Sequence, residues 1–265
     1  MHTNRPTDKT LVGAFKSTSH EPKRALLLLC MLCFVPFLVW CQDAPTKKLL
    51  VFSKTKGFRH ESIEVGIDAL QKLGTENGIK VEVTEKSKWF NSKKLKEYDA
   101  VLFLSTSGNV FNRKQETAFK NFIQSGGGFM GIHGASTTEY EWDWYGKLIG
   151  GYFDGHPEPQ EATLIVHDNT HLSTQHLSET WERFDEWYNF RWMDENFNLL
   201  ISVDESTYTG GKHKNVHPIS WYKPFEGGRM FYTALGHTKE SYSDERFLNH
   251  VLGGILYVMG KSESE

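Results

Sequence analysis

Three histidines follow apolar runs of the chain: His60 in Gly57-Phe58-Arg59-His60, His133 directly after Phe129-Met130-Gly131-Ile132, and His237 after Phe231-Tyr232-Thr233-Ala234-Leu235-Gly236. Imidazoles titrate near neutral pH and bind borderline metals. A convergence of the three would therefore serve either as general acid and base or, through His133 and His237, as a site for a divalent metal such as zinc. A second group is Trp181-Glu182-Arg183-Phe184-Asp185-Glu186-Trp187-Tyr188-Asn189-Phe190, in which two adjacent carboxylates sit inside an aromatic run. Neighbours in an extended strand point to opposite faces. Unless the strand bulges, one of Asp185 and Glu186 enters a site and the other makes a structural ion pair. Trp187 and Tyr188, with Trp144, Tyr145, Tyr140, Trp142 and Trp192, offer flat faces on which a sugar ring could stack. Each is equally suited to a core. His156-Pro157 and His217-Pro218 hold imidazoles in the extended backbone that precedes proline, which suits a rigid loop at a binding site.

For these residues to meet, the runs before them must lie side by side. Leu49-Leu50-Val51-Phe52, Ile79 to Val83, Ala100 to Leu104 and Phe129 to Ile132 read as short buried strands. Between them, Ser62 to Glu76 and Arg113 to Gln124 carry apolar residues at helical spacing. Apolar strands separated by helices imply parallel pairing with both faces covered, so the fold class is α/β, an open, doubly wound and mostly parallel sheet. Ligands of such sheets bind beyond the carboxyl ends of the strands, where the three histidines stand. After residue 150 the pattern is strand-rich: Ala162 to His167, Phe184 to Phe190, Leu199 to Val203, Ile219 to Tyr222 and Met230 to Leu235, closed by a helix from Asp244 to Met259. No repeat or linker divides residues 48–260, which form one domain with a polar tail over 261–265.

The chain of 265 residues carries 30 basic against 33 acidic residues, 24% charged in all, and the net charge of −3 argues against a nucleic-acid partner. Ala25 to Cys41 is an uncharged run preceded by Lys23-Arg24, the form of an export signal, with an uncleaved membrane anchor as the alternative. Residues 1–41 are thus a signal peptide or anchor, 42–47 a short linker, and the protein is expected to be exported, either periplasmic or membrane-tethered. Leu38-Val39-Trp40-Cys41 offers Cys41 for a lipid, although Trp40 stands where a lipoprotein signal needs a small residue. Removing residues 1–41 takes away five basic and two acidic residues, turning 30 against 33 into 25 against 31. It also takes Cys30, Cys33 and Cys41, all the cysteines of the chain, which excludes thiolate zinc sites and cysteine nucleophiles from Gln42 onward. Ser105, Ser107 and Ser136 stand in no G-x-S-x-G elbow, and the one triple glycine, Gly126 to Gly128, precedes its strand instead of following it.

With these motifs in order, from Gly57-Phe58-Arg59-His60 through Gly126 to His133, Trp144-Tyr145, Phe153, His156-Pro157, Asp185 to Tyr188, His217-Pro218-Ile219-Ser220-Trp221 and Gly228 to His237, the chain resembles the trehalose-utilisation (ThuA-like) family over about Lys48 to Gly260. That resemblance implies a class I glutamine amidotransferase-like fold. Where amidotransferases end the strand before their elbow in Gly-Ile-Cys, this chain has Gly131-Ile132-His133, so glutamine hydrolysis through a thioester is not available. His237 looks like the counterpart of the amidotransferase histidine.

The resemblance further implies a carbohydrate ligand, trehalose or a related disaccharide, with 3-keto sugars as intermediates. Two functions follow. One is an exported hydrolase or lyase of a glycoside or keto-sugar, with His60, His133, Asp185, Glu186 and His237 in the chemistry and Trp144, Tyr145, His156, Trp187, Tyr188 and His217 on the substrate. The other is a non-catalytic carbohydrate-binding or accessory module that keeps the fold without the nucleophile.

Overall fold

A computed structural model of the chain describes residues 47–260. The expected leader with Cys41 and the 261–265 tail lie outside the described residues, while Lys47, the last residue of the expected linker, already belongs to the first strand. The first half runs β1 (Lys47–Phe52), α1 (Ile63–Glu76), β2 (Ile79–Thr84), α2 (Ser92–Leu95), β3 (Ala100–Leu104), β4 (Ser107–Gly108), α3 (Arg113–Gln124) and β5 (Gly128–Ile132). There follow β6 (Thr137–Thr138), α4 (Asp143–Ile149), β7 (Gly151–Phe153), β8 (Gln160–Val166), β9 (Thr180–Asp185) and β10 (Phe190–Met193). The chain closes with β11 (Asn198–Val203), β12 (His217–Phe225), β13 (Gly228–Thr233) and α5 (Glu245–Val258).

Nine strands form one sheet in the order β2-β1-β3-β5-β13-β12-β11-β8-β9. The first five pair in parallel, and the rest extend the same sheet antiparallel, so the strand-rich second half is the far wing of one sheet. All residues of β3 and β5 are buried, as apolar strands covered on both faces require. Consecutive strand residues face opposite sides, and β3 shows what covers each. The Phe103 ring packs on Phe119 of α3 and Tyr145 of α4, whereas Leu104 lies against Gly66 of α1. Tyr242 bridges α1 to α5 on that second side, meeting Gly66 and the Phe247 ring. Helix α3 is fixed at its start by a reciprocal cap, in which the Asn112 side chain accepts backbone N–H groups and Gln115 returns a bond to the Asn112 backbone. Among the described residues no helix is long and apolar enough to cross a membrane.

One expected element differs in a way that matters for the site. The strand expected over Phe184 to Phe190 stops at Asp185 and resumes only as β10. The pairing of β9 with β8 ends at Asp185 opposite Gln160, and there the Asp185 carboxylate accepts the backbone N–H of Glu186 at 3.0 Å. Both carboxylates are buried, and they still part: Asp185 pairs with Arg183 and Glu186 turns to the histidines. Although β9 is the last strand of the order, the sheet coils until Asp185 also meets the segment just beyond β13.

Candidate functional site

Strands β1, β3, β5 and β13 are consecutive neighbours, and the segments leaving three of them deliver the histidines. His133 is the first residue past β5. Its backbone takes the left-handed conformation, φ +48°, and turns at once into a short helix over His133–Ser136. An L-residue there is strained, a feature that gathers at functional sites. Gly134 lets the turn press on its neighbour, because a Cβ at this position would stand 3.1 Å from the Ser105 Cα. From below, the Tyr232 hydroxyl donates to the His133 carbonyl at 2.8 Å and that of Tyr145 to the Ala135 carbonyl at 2.9 Å. His60 enters from the loop after β1, and His237 follows Gly236, whose φ of +103° makes the turn out of β13.

The three imidazoles and Glu186 converge. His133 Nε2 lies 3.1 Å from His60 Nε2, 3.3 Å from His237 Nδ1 and 3.3 Å from Glu186 Oε2, and His237 Nδ1 lies 3.2 Å from the same oxygen. All four donor atoms lie within 4.8 Å of one another. His133 Nδ1 faces the Ala234 carbonyl oxygen at 2.6 Å and must carry a proton, which leaves Nε2 as the nitrogen whose lone pair can face the cluster. A lone pair this close to a carboxylate oxygen needs a proton or a cation between them. For zinc bound at about 2.0–2.1 Å, the edge of a tetrahedron is about 3.3 Å, which these four of the six separations match, the other two, from His60 to His237 and to Glu186, lying within 4.8 Å.

The electrostatics suit the same purpose at His60 and Glu186 and oppose it at His237, which must give up a proton to bind metal. Burial, reinforced by His133 and His237, pushes His60 down to about 2, leaving it neutral with a free lone pair. Burial alone would raise Glu186, but the His133 and His237 imidazoles, when they carry a proton towards its carboxylate, outweigh it and hold the carboxyl well below its ordinary range. For His237, burial is opposed by the Glu186 hydrogen bond and charge, which win and raise it. A neutral imidazole and an ionised carboxylate at neutral pH are the forms that bind metal.

The remaining candidates divide. His156, partly exposed, reaches Glu186 Oε1 through Nδ1 at 3.1 Å and lines the cleft above the cluster. The Tyr188 ring covers His133 at a centroid distance of 4.1 Å, and its hydroxyl stands 3.4 Å from His60 Nε2. Asp185 faces away from the cluster: its oxygens accept the N–H groups of Glu186, Gly236 and His237 and the Arg183 Nε–H. It positions the two residues beside it without reaching the cleft.

Four expected substrate contacts are corrected. Trp144 is buried beside Phe119 and donates to Glu226, Tyr145 is fully buried beneath the His133 turn, and the Trp187 indole is buried with its N–H on the Gln160 carbonyl. Their apolar area is worth more in the core than at a surface, and none can stack on a sugar. His217 is buried too, held between Glu205 and Tyr208 on one side and the Tyr188 carbonyl at 2.7 Å on the other. It braces the Tyr188 segment from behind.

The cleft above the cluster, about 510 Å³, is lined by Tyr140, Phe153, His156, Glu186 and Tyr188 on one side and by Phe58, Ser107 and Thr137 on the other. Ser107 and Thr137 belong to the paired two-residue strands β4 and β6, too short to leave a periodic signal. Phe153 lies on β7, paired with β10.

The model of a family described as trehalose utilisation, ThuA, matches residues 48–258. The chain belongs to the ThuA family. That membership supports a role in carbohydrate utilisation. A ThuA-like protein of Bacteroides uniformis ATCC 8492 superposes with a TM-score of 0.70 at 24% identity, covering 84% of this chain and 95% of that one. A ThuA-like protein of Parabacteroides merdae ATCC 43184 gives 0.67 at 18% identity, covering 82% and 91%. A cytoplasmic protein of Salmonella typhimurium LT2 gives 0.60 at 16% identity, covering 81% and 100%. At these identities the likeness establishes a ThuA-like, flavodoxin and amidotransferase-like fold alone. No curated protein matches the sequence significantly.

Proposed function

We propose that this ThuA protein is an exported, metal-assisted enzyme acting on a disaccharide or its 3-keto derivative. The observation that carries the reading is the meeting of His60, His133, His237 and Glu186 donor atoms at separations suited to one divalent cation. Family membership supports the sugar, and the uncharged run from Ala25 to Cys41 supports export. Glutamine hydrolysis is disfavoured, because an imidazole replaces the thiol at the turn after β5 and no cysteine follows Cys41.

A divalent cation such as zinc would polarise a ketone or hydroxyl oxygen of the sugar. The chain's own residues supply the rest. Tyr140, Phe153 and Tyr188 give the sugar apolar faces, while the Ser107 and Thr137 hydroxyls of the lining donate to the backbone carbonyls of Phe58 and Gly134. His156, open to the cleft and bonded to Glu186, is placed to move a proton on the substrate side. In a keto-glycoside the C–H beside the ketone is acidic, so elimination needs one base to take that proton, one acid to protonate the departing sugar oxygen and one group to polarise the carbonyl. A proton NMR time course with trehalose and with 3-keto-trehalose, with and without zinc, tests this: zinc-dependent product peaks from the keto-sugar support it. Saturable line broadening without product would make the protein a carbohydrate-binding module instead.

A further inference from the structure

Phe58 stands where two clefts meet. On one side lies the aromatic cleft already described, about 510 Å³. On the other lies a second one of about 650 Å³, lined by Glu61, Ser62, Phe184, His237, Lys239 and Glu240 among others. Phe58 and His60 line both, so the metal-binding cluster is reached from either side, past His60 and Glu186 from the first and past His60 and His237 from the second. Each cleft is of a size that takes a small ligand, about 300–1,000 Å³. Their chemistry differs: the first is walled by Tyr140, Phe153 and Tyr188, while the second carries the Lys239–Glu61 ion pair beside the half-exposed Phe184 ring.

The Phe58 side chain is 70% exposed, yet the backbone beneath it is fixed. Ser107 Oγ donates to the Phe58 carbonyl at 2.7 Å and accepts the Gly57 N–H at 3.2 Å, and the Lys56 N–H donates to the Ser107 carbonyl at 2.8 Å. The Phe58 ring meets that of His60 nearly at right angles, centroids 4.8 Å apart, and with the exposed Phe184 ring lines the second cleft, so two exposed apolar rings share one concave surface beside the cluster.

We infer that the substrate spans both clefts, one unit in each, and that Phe58 is the specificity-determining residue, packing on the linkage between the units where it passes the cluster. The inference rests on the carbohydrate reading above and names which sugars the site takes: those of two rings, in preference to one.

The test is calorimetric titration of the zinc-treated protein with trehalose and with glucose, with bound zinc measured in the same samples. Wild type should bind trehalose at least about tenfold more tightly than glucose, the scale of one aromatic anchor. Phe58→Ala should erase that margin while glucose affinity stays, and Phe184→Ala, altering the second cleft alone, should reduce it. Equal affinities in wild type, a margin unchanged in both variants, or binding of neither sugar would overturn the inference. A margin for trehalose in protein that holds no zinc would sustain it and overturn the metal reading, whereas zinc-loaded protein without a margin would do the reverse.

Discussion

His133 and Ala234 are joined across two neighbouring strands: the imidazole Nδ1 meets the Ala234 carbonyl oxygen at 2.6 Å, past the end of β13. That one bond decides the tautomer, and the tautomer decides what faces the cluster. With the proton on Nδ1, the Nε2 lone pair points at His60, His237 and Glu186, as a metal-ligating histidine oriented by a backbone carbonyl would.

Replacing His133 should therefore remove the centre without unfolding the protein. Asparagine tolerates the φ of +48° better than alanine does, so His133→Asn is the cleaner variant. It should melt within a few degrees of wild type and lose metal-dependent turnover. His133→Ala should lose turnover too. Activity retained in both, read by the NMR assay, would remove His133 from the chemistry.

Asp185 is predicted to act through its neighbours. It is fully buried, pairs with Arg183 at 3.0 Å, and holds the N–H groups of both Glu186 and His237. Asp185→Ala removes one of two carboxylate partners of the buried Arg183, which keeps Asp244, and leaves the Gly236 and His237 N–H groups without their acceptor, so it should destabilise the protein. Asp185→Asn keeps the shape but offers one acceptor oxygen in place of two, and should weaken zinc binding by about 10–100-fold, the range for residues that orient ligands. Competition titration with a zinc indicator measures this, and unchanged affinity in Asp185→Asn would refute the positioning role.

Trp187→Ala should report on the core. With the indole fully buried, truncation is expected to cost about 3–5 kcal/mol and leave sugar affinity unchanged in protein that remains folded. Tyr140→Ala should show the opposite order, a larger loss of sugar affinity than of stability. Chemical denaturation beside sugar titration separates the two.

Stability should fall on mild acidification, and histidines far from the cluster predict where. Burial pushes His250 down to about 3 and His171 and His213 to about 4, so in the folded protein all three stay neutral where an unfolded chain takes up protons. The unfolded state binds more protons below pH 6.5, hence the stability these groups contribute is complete above that pH and is lost as pH falls towards their folded values. Each contributes up to about 1.4 kcal/mol per pH unit. Melting temperature should drop between pH 7 and pH 5, and less steeply in His250→Asn. A flat profile over that range would contradict the assignment of these rings as neutral.

The sequence made the parallel half legible because β1, β3 and β5 are apolar on both faces and end where the pattern breaks, which also placed His60, His133 and His237 at strand ends. The choice between Asp185 and Glu186 was not legible, since it depends on where β9 stops, which is set by its pairing with β8 ending at Asp185 opposite Gln160. Trp144, Tyr145 and Trp187 misled for another reason. Residue type does not tell an aromatic ring of the core from one at a cleft, and Tyr140, Phe153 and Phe58, of the same types, are the rings that line it. His217 precedes a proline as His156 does, yet it opens β12 and faces Tyr208 and Glu205.

The central claim, that three histidines and Glu186 form one metal centre, is tested most directly by equilibrium dialysis against zinc, with metal and protein measured in the same samples. The geometry predicts one zinc per chain in wild type and none at that site in His133→Asn or Glu186→Gln. No bound zinc in wild type, or one equivalent retained in both variants, would contradict it.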